Sequence, residues 1–86
     1  MMEIEWAESA TKDLDKLDKP IARRISKRIT WLSNNFQSVV PERLAGGLKG
    51  TFKLRVGDWR VVYTVEAETI VIQFIGHRSG IYRTGR

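Results

Sequence analysis

The chain has 86 residues, 42% of them hydrophobic, with three tryptophans, one histidine and no cysteine. That composition supports one modest core without staples, and it excludes a disulfide framework or a thiolate metal site. A formal net charge of +5 points to an anionic partner, and the single histidine, with no carboxylate cluster beside it, argues against a metal cofactor. No apolar run nears the roughly 20 residues of a membrane span, and the N-terminus lacks a basic-then-apolar signal pattern. The expectation is one cytoplasmic domain over residues 1–86, with no membrane contact.

Charge is unevenly placed. Residues 1–18 carry six acids and two lysines, whereas residues 19–86 carry thirteen Lys or Arg against Glu42, Asp58, Glu66 and Glu68. A phosphate-rich partner, nucleic acid first, suits the C-terminal part.

In chain order, residues 2–6 alternate and read as a short strand. Ala7, Ala10, Leu14 and Leu17 then recur at helical spacing. Asp18-Lys19-Pro20 interrupts, and Pro20 suits the first position of a second helix capped by Asp18 or Lys19. Its apolar stripe is Ile21, Ile25, Ile29 and Leu32, with Arg23, Arg24, Lys27 and Arg28 elsewhere on the wheel, and Ser33-Asn34-Asn35 ends it. Trp6 and Trp31 are expected in the core or at helix-docking contacts. Residues 36–50 read as a loop from Pro41, Gly46, Gly47 and Gly50, whose spacing is not that of a phosphate-binding loop.

Two alternating runs, 51–56 and 59–65, flank Gly57-Asp58 and predict a β-hairpin with a two-residue turn. Arg55 then faces Arg60, and Lys53 faces Val62. Leu54, Val56, Trp59, Val61 and Tyr63 take the core side, so Lys53, Arg55 and Arg60 share the other. Opposed like charges destabilise a sheet by up to about 1 kcal/mol, and no carboxylate of the hairpin lies on that face to offset them. A turn at Ala67-Glu68 leads to a last strand, 69–76, apolar at nearly every position and therefore expected centrally, with both faces covered. The tail from His77 to Arg86 is short and basic. The predicted class is α+β, in the order β-α-α-β-β-β: an antiparallel sheet with a two-helix hairpin packed on one face and the cations on the open face.

Leu48-Lys49-Gly50, the hairpin KLRVGDWRVVY and the ending IGHRSGIYR resemble the RelE/ParE superfamily of type II toxin–antitoxin toxins, with its RelE-like microbial RNase fold. The likeness spans the chain and is strongest over 48–83, nearest the RelE branch, whose members cut mRNA in the ribosomal A site without a metal. The resemblance implies a catalytic set of Lys53, Arg55, Arg60, Arg78 and Tyr82, with no cofactor. It also implies RNA contacts at Lys49 and His77, and as partners a cognate antitoxin, the ribosome and mRNA. Arg55 stands where the best-known members have lysine, and the turn before Arg60 and the span from Arg78 to Tyr82 are shorter.

The residues fit metal-free RNA cleavage. Arginine keeps its proton in a protein, so Arg55, Arg60 and Arg78 can only stabilise charge, with forks suited to phosphate oxygens. Proton transfer falls to Lys53, His77 or Tyr82. Neighbouring arginines disfavour the ammonium of Lys53, which suits it to the role of general base. Tyr82 suits base stacking or proton traffic. His77, after a strand-terminal glycine, also fits a structural hydrogen-bonder, and Asp58 fits turn chemistry. The alternatives are a ParE-like DNA gyrase inhibitor, for which the basic face is a docking surface, and a non-catalytic RNA-binding module.

Overall fold

The computed structural model describes residues 2–44, 46 and 49–80. Strand β1 (Glu3–Trp6) leads into helices α1 (Glu8–Asp15) and α2 (Lys19–Asn35). Strands β2 (Glu42–Arg43), β3 (Thr51–Val56), β4 (Trp59–Glu66) and β5 (Thr69–His77) follow. One sheet has the order β1-β5-β4-β3-β2. Its pairings are antiparallel except that of β1 with β5, which is parallel with Glu3 opposite Thr69. The sheet is therefore mixed, and the expected antiparallel sheet is corrected at this edge. The two helices cross over between β1 and the remaining strands, which allows β1 to return alongside β5.

Both helices serve one core. Ala10 of α1 and Ile25, Ile29 and Leu32 of α2 pack with Leu54, Val56, Val61, Tyr63, Ile70, Ile72 and Ile75 of the sheet. The stripe read from α2 and the core side read from the hairpin are thus the same surfaces in contact. Pro20 stands at the start of α2, where its missing N–H has no intrahelical partner to lose.

Gly57 takes φ +60° as the first of the two turn residues joining β3 to β4, a left-handed value that favours glycine there. In β5 the ladder slips by one residue: Val62 pairs with Phe74 but Tyr63 pairs with Ile72, leaving Gln73 as a bulge. The slip explains why Ile70, Ile72 and Ile75 all reach the core despite strand alternation, and so why β5 reads as nearly continuous apolar sequence. Helix α1 supplies hydrogen bonds around the bulge. Ser9 Oγ donates to the Gln73 carbonyl at 2.6 Å, and Asp13 Oδ2 accepts from the Ile75 N–H at 2.9 Å.

The segment expected to be loop is only partly so. A single 3-10 turn covers Phe36–Ser38, and β2 adds an edge strand, with Glu42 opposite Lys53 and Arg43 opposite Phe52. Trp31, expected in the core or at a helix-docking contact, is 42% exposed. No described helix is long and apolar enough to cross a membrane.

Candidate active site

Alternation sends Leu54, Val56 and Val61 to the core, so Lys53 and Arg55 of β3 and Arg60 of β4 occupy the sheet face away from the helices. Arg55 lies directly opposite Arg60, and Lys53 opposite Val62. The strip is less open than the sequence suggests. Lys53 is only 8% exposed, Arg60 9%, and Val62 is fully buried, whereas Arg55 reaches water.

Burying a cation costs free energy unless its donors are satisfied. Arg60 meets this in part: Nη1 donates to the carbonyls of Gly57 and Trp59, each at 2.9 Å. These bonds point the guanidinium back at the hairpin turn. Its Nε is buried with no hydrogen-bond partner among the described residues.

The expectation that no carboxylate relieves these cations fails, because β2 brings one from outside the hairpin. Glu42 accepts from Arg55 Nε at 3.0 Å and Nη2 at 2.6 Å, and Lys53 Nζ lies 3.5 Å from its Oε2. Sequence reading missed Glu42 because a two-residue strand after Pro41 shows no periodicity. The available signal was an isolated acid in the basic part of the chain. The hydrogen bond from Arg55, followed by the charges of Arg55 and Lys53, holds the Glu42 carboxyl below its usual 4.5 despite opposing desolvation.

A depressed carboxyl stabilises the fold fully above about 4.5, and that contribution disappears as pH falls through the lower native value. Glu42 is half exposed, so water screens the pair and the effect is small. Glu42→Gln is expected to flatten this acid limb and leave the neutral region almost unchanged. Urea midpoints for both proteins between pH 7 and pH 3 check this; parallel acid limbs would contradict it.

The remaining predicted residues do not all join the strip. Arg78 is exposed at the turn end of the sheet, where its N–H donates to the Asp58 carbonyl at 2.8 Å and its Nε lies 3.3 Å from Asp58 Oδ1. Asp58 therefore anchors Arg78 as well as forming the turn. His77 sits opposite Trp59, on the helix side of the sheet, with the two rings edge to face at 5.3 Å. Its Nδ1 lies 2.8 Å from Ser79 Oγ and accepts the Ser79 N–H. His77 is therefore on the opposite face from Lys53, Arg55 and Arg60, and its expected RNA contact is not part of their strip. Lys49 is exposed in the turn before β3, beyond the end of the strand opposite Arg55. Tyr82 lies outside the described residues. Tyr63 cannot stand in for it: it is buried in the core, and burial pushes its hydroxyl up to about 12.

Chemically, this face offers charge stabilisation from two guanidiniums, Arg55 and Arg60, and two protonatable groups, Lys53 and Glu42, in contact. Among the described residues no cluster of three or more His, Cys, Asp or Glu could hold a metal. The model for ParE toxins of type II toxin–antitoxin systems (parDE) matches residues 4–82. The chain belongs to this toxin family, within the RelE/ParE superfamily. A putative RelE-like toxin of Escherichia coli is 29% identical over 86 residues, covering 93% of this chain and 88% of that protein. In the RelBE2 toxin–antitoxin complex of Mycobacterium tuberculosis, a chain at 29% identity gives a TM-score of 0.77, covering 90% of this toxin and 98% of that chain. A chain of the chromosomal ParDE system of P. aeruginosa, 19% identical, shares the fold with a TM-score of 0.72, covering 90% and 96%. The toxin fold thus recurs under both RelE and ParE names.

Proposed function

We propose that this toxin is a ribosome-dependent, metal-independent endoribonuclease that cuts mRNA in the A site and arrests translation. The observation that supports this reading is the pair of buried cations, Lys53 and Arg60, on a sheet face they share with Arg55. A fold gains little from burying cations there, and the unpartnered Nε of Arg60 is a donor that a phosphate oxygen would satisfy.

In the proposed reaction Lys53 is the general base that takes the proton from the 2′-hydroxyl. The 2′-oxygen bonds to phosphorus as the bond to the 5′-oxygen breaks, leaving a 2′,3′-cyclic phosphate. Arg55 and Arg60 stabilise the added charge on the phosphorane, with Arg78 at the end of the strip, and a proton passes to the leaving 5′-oxygen. Tyr82 is proposed to stack on a base or carry that proton. So sparse a catalytic set relies on a substrate held in line by something else, and the ribosome supplies that geometry. A cognate antitoxin is the proposed regulator, in keeping with the complexes in which related toxins are found.

The match to ParE toxins favours a second reading, inhibition of DNA gyrase with the basic face as a docking surface. One paired experiment separates them. Purified toxin is expected to cut mRNA on programmed ribosomes, leave naked RNA nearly intact, and trap no gyrase on DNA. Gyrase trapping with intact mRNA would overturn the nuclease reading, as would efficient cutting of naked RNA.

A further inference from the structure

Beside the strip, a groove of about 230 Å³ links Trp31 and Val40 to Glu42, Lys53 and Arg55. Trp31, 42% exposed, and Val40, 91% exposed, are the large apolar side chains that the described residues leave in water. Arg28, also in the groove, lies with its guanidinium carbon 4.5 Å from the centre of the Trp31 ring. The wall therefore carries a cation over an aromatic ring, and aromatic and guanidinium groups are the surfaces on which unpaired bases stack. At the opposite wall, Arg55 holds the Glu42 carboxylate through two parallel hydrogen bonds, the geometry in which a guanidinium also holds phosphate.

Three cations against one acid call for an anionic occupant. The volume falls below the roughly 300 Å³ where pockets for drug-sized ligands begin, which suits one nucleotide rather than a folded element. We propose that this groove is a nucleotide subsite. A phosphate takes the place of the Glu42 carboxylate on Arg55 and Lys53, and the attached base lies against the Arg28–Trp31 stack beside Val40. This rests on the reading that RNA is the substrate, and it adds Arg28, Trp31 and Val40, none of them in the catalytic set, as a base-binding wall beside Arg55 and Lys53. Glu42 becomes an internal competitor that keeps the affinity for free RNA low until a substrate is presented.

The test is binding of a short single-stranded RNA by fluorescence anisotropy at low and moderate salt. Trp31→Ala is expected to weaken binding about tenfold with an unchanged salt slope, because stacking is not electrostatic, and Trp31→Phe to recover part of the loss. Glu42→Gln is expected to act oppositely: tighter binding by about threefold at low salt and a slope steeper by about 0.7, one further phosphate contact. Adenosine monophosphate titrated into the wild-type toxin should shift the Trp31 indole N–H resonance, a readout that needs no variant to fold. Unchanged affinity in Trp31→Ala, or a loss that appears only with an antitoxin segment, overturns the subsite. Weaker binding by a folded Glu42→Gln overturns the competitor role. Either outcome overturns the inference without deciding whether the wild-type toxin cuts mRNA on ribosomes. Conversely, if the wild-type toxin fails to cut on ribosomes while the Trp31 effect holds, the reaction is wrong and the subsite stands.

Discussion

Lys53→Ala is expected to slow cleavage on saturated ribosomes by about 10²–10⁴-fold, the usual worth of a positioned general base, while changing affinity only a few-fold. The asymmetry follows from where the charges sit. Arg55 reaches solvent and provides electrostatic attraction at a distance, whereas Lys53 is buried beside Glu42 and opposite Val62. Removing a buried amine therefore costs little encounter energy but takes away the strip's only lysine. Single-turnover rates at saturating toxin, read beside the ribosome dissociation constant, check this. A near wild-type rate would contradict the role and move the proton acceptor to Glu42, the other protonatable group in contact with the strip.

Arg60→Thr carries the second large effect. One preorganised contact to a developing oxyanion is worth about 10²–10³ in rate, so cleavage and growth arrest should both be lost. Stability follows a sign that the hairpin sequence alone gets wrong. Two opposed arginines without a carboxylate predict a gain of a few tenths to about 1 kcal/mol on neutralising one of them. In the structure Glu42 already engages Arg55, and Arg60 donates twice to carbonyls of the turn. Hydrogen bonds from a charged donor are worth about 1.5–3 kcal/mol, so their loss outweighs the relieved repulsion. The expected result is a net loss of about 2–5 kcal/mol. Chemical denaturation beside a toxicity assay measures both halves. Full toxicity in a folded Arg60→Thr protein would remove Arg60 from the reaction.

The hairpin was the most legible part of the chain. Period-two alternation around Gly57-Asp58 places every residue from Lys53 to Tyr63 on its observed side of the sheet. The stripe Ile25, Ile29 and Leu32 was equally readable, because a 3.6-residue period over four turns has few alternative explanations. Three features lay beyond such patterns. The parallel pairing of β1 depends on the route of the crossover, which leaves no local trace in Met2 to Trp6. The bulge at Gln73 hides in a run where nearly every residue is apolar, so the phase change is invisible. Strand β2 is two residues long, and with it the sequence reading lost Glu42, the residue that changes the electrostatics of the site. His77 illustrates the converse: its parity with Trp59 was readable from the register and would have placed it on the helix side.

An mRNA carrying one 2′-deoxynucleotide at the scissile position, loaded in the A site beside its all-ribose counterpart, tests in-line cleavage by the Lys53–Arg55–Arg60 strip most directly. Wild-type toxin is expected to cut the all-ribose message to a 2′,3′-cyclic phosphate end and leave the deoxy message whole. Cleavage of the deoxy message, or an intact all-ribose message on toxin-bound ribosomes, would contradict in-line cleavage by the strip.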